Sequence, residues 1–358
     1  MYKEFLRLSQ EYNMPIENVL SIALNRYGIL SKEIEDSRIR FSLNFNDTDI
    51  ERFFAVCVNT YSDSPFELKN EKIYLDGNVI GKVVNIEKDT CTSTYFRDKK
   101  QAITLNSNSR SKCIGCTFCG TYSLTEDDSV DFTTKENVKK YFYKLLNENN
   151  LNDLSNMKNI TVCTGCFDNE DKLVEHLYTL NSAFREMNFN GNLNYIGSQL
   201  RTYSKIDEVS KNIDNFGLFL TLEKFLEREK FMRKEKASLT LEKAHELLKY
   251  STDKNITSTF LYILGLEDLE TVKKYFTYFK DSINKFPIVQ VFQDYTKYQE
   301  LYRCNEAKDF EYYVKARKVI TDIYKDTTLL PESWECYRGL HFETKDNGEN
   351  KCLLLKKN

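Results

Sequence analysis

The sequence predicts an α/β protein whose main body is a parallel sheet covered by helices. From residue 101 onward, six short β-rich runs alternate with six amphipathic helical runs, the spacing of βαβ units joined by right-handed crossovers. Several strands are also apolar at successive residues, as in Phe216-Gly217-Leu218-Phe219-Leu220, the pattern expected when both faces of a sheet are covered. In such a sheet ligands sit at the carboxyl ends of the strands.

Before this rhythm begins, residues 1–36 carry helical patterns with a break at Gly28. Residues 37–100 change character: IRFSLNF, AVCVNTY, EKIYLDG and VIGKVVNI are β-rich, and the last two flank the turn signal Asp76-Gly77-Asn78. Residues 1–100 therefore read as an N-terminal α+β appendage. The six units follow in order. QAITLNSN is the first strand and TKENVKKYFYKLLNENN its helix; KNITVCTG is the second, followed by a helix with Leu173, His176, Leu177 and Leu180 on one face. NLNYIGS and FGLFLTLE are the third and fourth strands, separated by the helix SKIDEVSKNI. LTLEKAHELL is the next helix, opened by Thr240 as a capping residue. ITSTFLYILG, EDLETVKKYFTYFKDSI, PIVQVFQDY and AKDFEYYVKARKVITDIY complete the series. The expected division is 1–100, then 101–328 for the repeating body, and 329–358 as a C-terminal extension.

Composition narrows the function. A net charge of −3 gives no general basic field, which speaks against nucleic acid as a partner. No apolar run approaches the roughly 20 residues of a membrane-spanning helix, so no membrane partner is expected. The N-terminus MYKEFLRLSQEYN is mixed in charge, unlike a secretory signal, and ten cysteines without such a signal point to a reducing, cytoplasmic setting. There, close cysteine spacing signals metal or redox chemistry more often than disulfides. Cys57, Cys91, Cys304, Cys336 and Cys352 are scattered and read as buried or bystander thiols. His176, His245 and His341 lie too far apart in sequence to suggest a histidine-rich zinc site.

The chemistry centres on Cys113-x2-Cys116-x2-Cys119, in the loop after the first strand of the series. Three readings stay open on the residues alone: thiols without metal, structural zinc, and an iron–sulfur cluster. Zinc takes four ligands in a closed tetrahedron, and the nearest further cysteines, Cys163 and Cys166, belong to another strand. An iron–sulfur cluster is held by thiolates, and with three of them one iron of four is open to a small molecule.

CIGCTFC in the first loop of a six-unit βα array resembles the radical S-adenosylmethionine (SAM) enzymes. That family's usual spacing is Cys-x3-Cys-x2-Cys, so the first gap is one residue short; Phe118 holds the family's aromatic place before the last cysteine. The resemblance covers about residues 101–295. It implies a partial (β/α)6 barrel of TIM type, a [4Fe-4S] cluster on Cys113, Cys116 and Cys119, and SAM chelated to the fourth iron. It implies further roles at the strand ends. Phe118 would lie against the adenine, and Thr164-Gly165, between Cys163 and Cys166, would bind the SAM amino group through the backbone. Ser198 would serve the ribose or carboxylate, Glu223 the ribose hydroxyls, and Arg228 or Arg233 the SAM carboxylate. The segment holding Ile263 and Gly265 would contact the adenine. KFLEREKFMRKEK, which contains both arginines, also reads as a solvated charged helix.

By the same resemblance the reduced cluster cleaves SAM to methionine and a 5′-deoxyadenosyl radical, which takes hydrogen from a substrate. An electron donor such as flavodoxin or ferredoxin is implied. The substrate is expected to be a small-molecule biosynthetic intermediate, which Gln290, Gln293, Asp294 and Tyr295 at the end of the sixth strand would suit. The alternatives are a peptide, docked by strand addition to the 37–100 region, and a non-catalytic iron–sulfur or zinc protein. Cys166 is the candidate hydrogen donor to a product radical, and LLPESWECYRGLHF (329–342) is a candidate cover for the barrel mouth.

Overall fold

The computed structural model describes residues 1–46, 48, 51–61, 63–90, 94–107, 116–120, 131–332 and 335–342. Two compact units divide the chain. Met1–Thr90, Tyr262–Lys280 and Phe286–Asn358 form the first; Cys91–Leu261 and Asp281–Lys285 form the second.

The first unit opens with helices α1 (Tyr2–Glu11) and α2 (Ile16–Tyr27). Phe5 and Leu8, one turn apart, bury the inner face of α1. An antiparallel sheet follows: β1 (Arg38–Phe45), β2 (Glu51–Cys57), β3 (Phe66–Lys69), β4 (Lys72–Leu75) and β5 (Asn78–Lys88), in the order β2-β1-β5-β4-β3. Leu75 pairs with Asn78 across the two residues Asp76 and Gly77, whose φ angles are +50° and +80°. Two central residues with positive φ make the type I′ hairpin that the Asp-Gly signal predicts. Strand β3 and the early start of β2 differ from the sequence reading, because Phe66–Lys69 is too short to show a periodicity. Ile29 pairs with Val58 and Leu30 with Glu67, so one short extended segment engages both margins of this sheet.

A curled sheet of seven strands forms the body, in the order β12-β11-β10-β9-β8-β7-β6. Its first member, β6 (Tyr95–Arg97), is antiparallel to β7 (Ala102–Asn106) and was not expected. From β7 the chain runs through α3 (Lys135–Glu148), β8 (Asn159–Cys163), α4 (Glu170–Glu186), β9 (Asn192–Gly197), α5 (Tyr203–Asn212) and β10 (Phe216–Glu223). The pairs β7–β8, β8–β9 and β9–β10 are parallel, as the alternation predicts. After the single-turn helices α6 (Arg228–Phe231) and α7 (Lys234–Ala237) come α8 (Leu241–Asp253), β11 (Thr257–Leu264), α9 (Leu269–Phe279), β12 (Ile288–Val291) and α10 (Glu311–Tyr324).

The helices start where the sequence supplies a cap. Thr134, Asn169, Thr240 and Asp268 accept main-chain N–H bonds from Asn137, Lys172, Lys243 and Thr271 at 3.3, 2.9, 3.2 and 2.7 Å, each worth about 1 kcal/mol over alanine. Val138, Phe142 and Leu146 of α3, four residues apart, bury one face. All but the last residue of β10 is buried, and all but the first of β11, as strands covered on both faces require. Among the described residues no helix is long and apolar enough to cross a membrane.

Candidate functional site

In the second unit the loops at the carboxyl ends of β7, β8, β9 and β10 carry the residues singled out in the sequence. Cys113 lies outside the described residues. Cys116 is buried and Cys119 half-buried, and the N–H of Cys119 bonds the carbonyl of Cys116 at 3.0 Å in a tight turn. The loop is pinned from above: Thr117 donates its N–H at 2.9 Å and its hydroxyl at 3.3 Å to the carbonyl of Phe231, the last residue of α6. Phe118 is buried. Burial pushes the Cys116 thiol up to about 12, opposed by the Lys236 ammonium and reinforced by the Glu223 carboxylate.

Glu223 closes β10 in an unusual way. Its φ is +61°, and the N–H of Lys224 bonds the carbonyl of Leu222 across it at 2.7 Å. This is a γ-turn of the strained, positive-φ kind. A non-glycine residue held there costs on the order of 1–3 kcal/mol and points to a functional constraint. The carboxylate accepts a hydrogen bond from Lys236 Nζ at 2.7 Å through Oε1, with the two side chains 13% and 17% exposed. Its Oε2 and the hydroxyl of Thr221, two residues earlier on the same face of the strand, are buried without a hydrogen-bond partner.

Arg228 is the residue expected on a SAM carboxylate. It is buried, and its guanidinium donates to the main-chain carbonyls of Leu239 and, at 3.3 Å, Lys236. It clamps the segment that carries α6 and α7, so the basic group at Glu223 is Lys236. Arg233 sits against Glu235 at 3.3 Å.

At the ends of β8 and β9, Cys163 and Cys166 are half-buried. Gln199 holds their loop by accepting from the N–H of Phe167 at 2.8 Å and donating to its carbonyl at 2.9 Å. Thr164 lies against the hydroxyl of the buried Tyr195, and Gly165 follows it directly. A Cβ at Gly197 would meet that hydroxyl at 2.1 Å, which is why glycine stands before the buried Ser198. Ile263 and Gly265 belong to the first unit. Gly265 has φ +116°, and a Cβ there would meet the Tyr313 hydroxyl at 2.8 Å, a packing reason for glycine.

No protein-family model matches the sequence, and no curated protein does. Among solved structures, Streptococcus suis SuiB bound to S-adenosylmethionine matches with a TM-score of 0.45 at 12% identity, over 64% of this chain and 49% of that one. A second structure of Streptococcus suis SuiB matches with a TM-score of 0.41 at 12% identity, over 63% and 46%. The chain thus spans about half the length of these structures. Likeness at this level carries no functional weight.

Two sets of side-chain pairings are not readable from the sequence. One is Ser107 with His176: the buried hydroxyl at the end of β7 is 2.8 Å from His176 Nε2 on α4. Burial lowers the His176 imidazole from 6.5 to about 4, so it is neutral in the folded chain. Between those values the unfolded chain takes up a proton that the folded chain refuses. Stability is therefore full above pH 6.5 and expected to fall toward pH 4, by about 3 kcal/mol in all. Urea midpoints measured across this range should lose most of that slope in His176→Gln; an unchanged slope would place the acid sensitivity elsewhere.

The other group is in the first unit, around the end of β12. The side chains of Asp294 and Arg303 are fully buried, with Arg303 Nη2 3.1 Å from both carboxylate oxygens. Gln293 donates to the carbonyl of Ala55 at 3.2 Å and accepts from Arg38 at 3.4 Å. These two residues, expected to meet substrate, are thus engaged internally. Cys57, read as a bystander, donates its thiol to the carbonyl of Asp294 at 3.2 Å. The C-terminal segment pairs with β12 through Gln290 and Gly339.

Proposed function

We propose that this chain is a radical SAM enzyme with a shortened Cys-x2-Cys-x2-Cys motif, acting on a small-molecule biosynthetic intermediate. The observation that carries the reading is the meeting of Cys116 with Lys236 and Glu223, where a strained strand end leaves Glu223 Oε2 and Thr221 Oγ1 buried and unpartnered. The donor set fits the implied groups. Thiolates at Cys116 and Cys119, with Cys113, are the ligands an iron–sulfur cluster takes, and the Lys236 ammonium offsets their negative charge. The open carboxylate oxygen and hydroxyl at the end of β10 suit the vicinal hydroxyls of a ribose. Bound together, a [4Fe-4S] cluster and SAM supply a carbon-centred radical able to take hydrogen from an unactivated position.

The chain's own residues then position and shield. Phe118 offers a buried aromatic face to the adenine, Thr164 and Gly165 offer main-chain groups to the SAM amino group, and Ser198 offers a hydroxyl. Lys236 orients Glu223 through its hydrogen bond to Oε1, while Arg228 fixes the segment that presents Lys236. Cys166, half-buried in the β8 loop, is the proposed hydrogen donor to a product radical, and a flavodoxin or ferredoxin the proposed source of electrons.

Anaerobic reconstitution with iron and sulfide tests the reading. About four irons per chain and an electronic spectrum perturbed by added SAM are expected. Glu223→Ala should keep that iron content while weakening SAM binding by about 1–3 kcal/mol. Unchanged SAM affinity in the folded variant would remove Glu223 from the site, and zinc in place of iron would remove the reading.

A further inference from the structure

The first unit holds buried cationic groups that nothing in the described chain neutralises. Arg338, 6% exposed, donates through Nη1 to the Tyr295 hydroxyl at 2.6 Å and through Nη2 to Gln290 Oε1 at 3.4 Å. Its Nε is buried without a partner, and among the described residues it pairs with no carboxylate. Arg38, also 6% exposed, lies over the Tyr295 ring at 4.2 Å, while Arg338 lies 5.5 Å from the same ring. Arg38 reaches Asp89 through Nε at 3.1 Å and Nη2 at 2.7 Å, and the Tyr337 hydroxyl bonds the same carboxylate. Asp89 is therefore already committed to Arg38. Arg26, 5% exposed and 5.5 Å from the Tyr61 ring, has Nε and Nη1 buried and unpartnered.

A guanidinium removed from water without a counter-ion is disfavoured far beyond what neutral hydrogen bonds return. Arginine's planar fork matches a carboxylate or a phosphate in two parallel bonds. Gln290, Tyr295 and Tyr337 are only half-buried, so the cluster has a solvent-facing side with an aromatic and amide wall. Arg338 reaches Tyr295 and Gln290 of that wall, and Arg38 lies on the Tyr295 ring. We infer that this cluster is a binding site for a small organic anion bearing a carboxylate or phosphate group, with Arg338 as its main ligand and Arg38 as the flanking charge. The site belongs wholly to the first unit and stands independently of the cysteine loop.

Calorimetric titration of the full chain, without added iron, with succinate, inorganic phosphate and neutral succinamide tests it. Saturable binding of at least one anion is expected, and none of succinamide; the tighter anion assigns the head group. Arg338→Gln should weaken that binding about tenfold or more, and Arg338→Lys, which keeps the charge but not the fork, about threefold or more. Should Arg338→Gln not fold, the wild-type titration and the lysine variant decide. Absence of binding by both anions in the wild-type chain overturns the inference. So does a folded Arg338 variant that binds as tightly as wild type.

Discussion

Replacing Cys116 by alanine is expected to remove most of the reconstituted iron and all SAM cleavage. Cys116 is the middle thiol of the three and, of the two described, the buried one, with Lys236 and Glu223 on hand. A cluster with two thiolates in place of three loses one of its protein ligands. The tie between Thr117 and Phe231 uses the main chain and the Thr117 hydroxyl, so it survives the substitution. The loss should therefore be of iron and not of fold, as iron per chain and the far-ultraviolet circular dichroism together would report. Full cleavage by the variant would sink the cluster assignment.

The largest effect on stability is expected at Asp294. With both side chains fully buried, Asp294→Ala strands the Arg303 guanidinium without its counter-ion. What remains is the Tyr313 hydroxyl, the Phe292 carbonyl at 3.4 Å and the face of the Phe292 ring at 5.0 Å. Breaking one partner of such a pair costs about 3–5 kcal/mol, far more than the pair contributes over apolar side chains of similar volume. Urea unfolding should show this loss, and Asp294→Ala with Arg303→Met should recover part of it. A single variant within about 0.5 kcal/mol of wild type, the range of ordinary surface substitutions, would mean that water reaches the pair.

The alternation of strands and helices was legible because it rests on local periodicity and on caps such as Thr240 that act within three residues. Of the cysteine loop, Cys116 and Cys119 share one tight turn, as their contiguous spacing allows, while Cys113 lies outside the described residues. The segment after β10 was not legible. Alternating charges in KFLEREKFMRKEK look like one solvated helix, yet the chain makes two single turns, with Arg228 buried on carbonyls and Lys236 drawn onto Glu223. Those partners are tertiary, and a charge pattern cannot reveal which charges will be neutralised. The polar cluster of the first unit was hidden for the same reason: Arg38, Asp89, Tyr295 and Tyr337 meet from distant parts of the chain. Strand β6, three residues long, carries no pattern at all and forms because β7 offers an edge.

The most direct test is the fate of SAM itself. The full chain, reconstituted anaerobically and reduced with dithionite, should release 5′-deoxyadenosine from SAM, measured by liquid chromatography with mass detection. Release should depend on the reductant and disappear in Cys116→Ala. A chain that holds its full complement of iron, is reduced, and still leaves SAM intact would contradict the assignment.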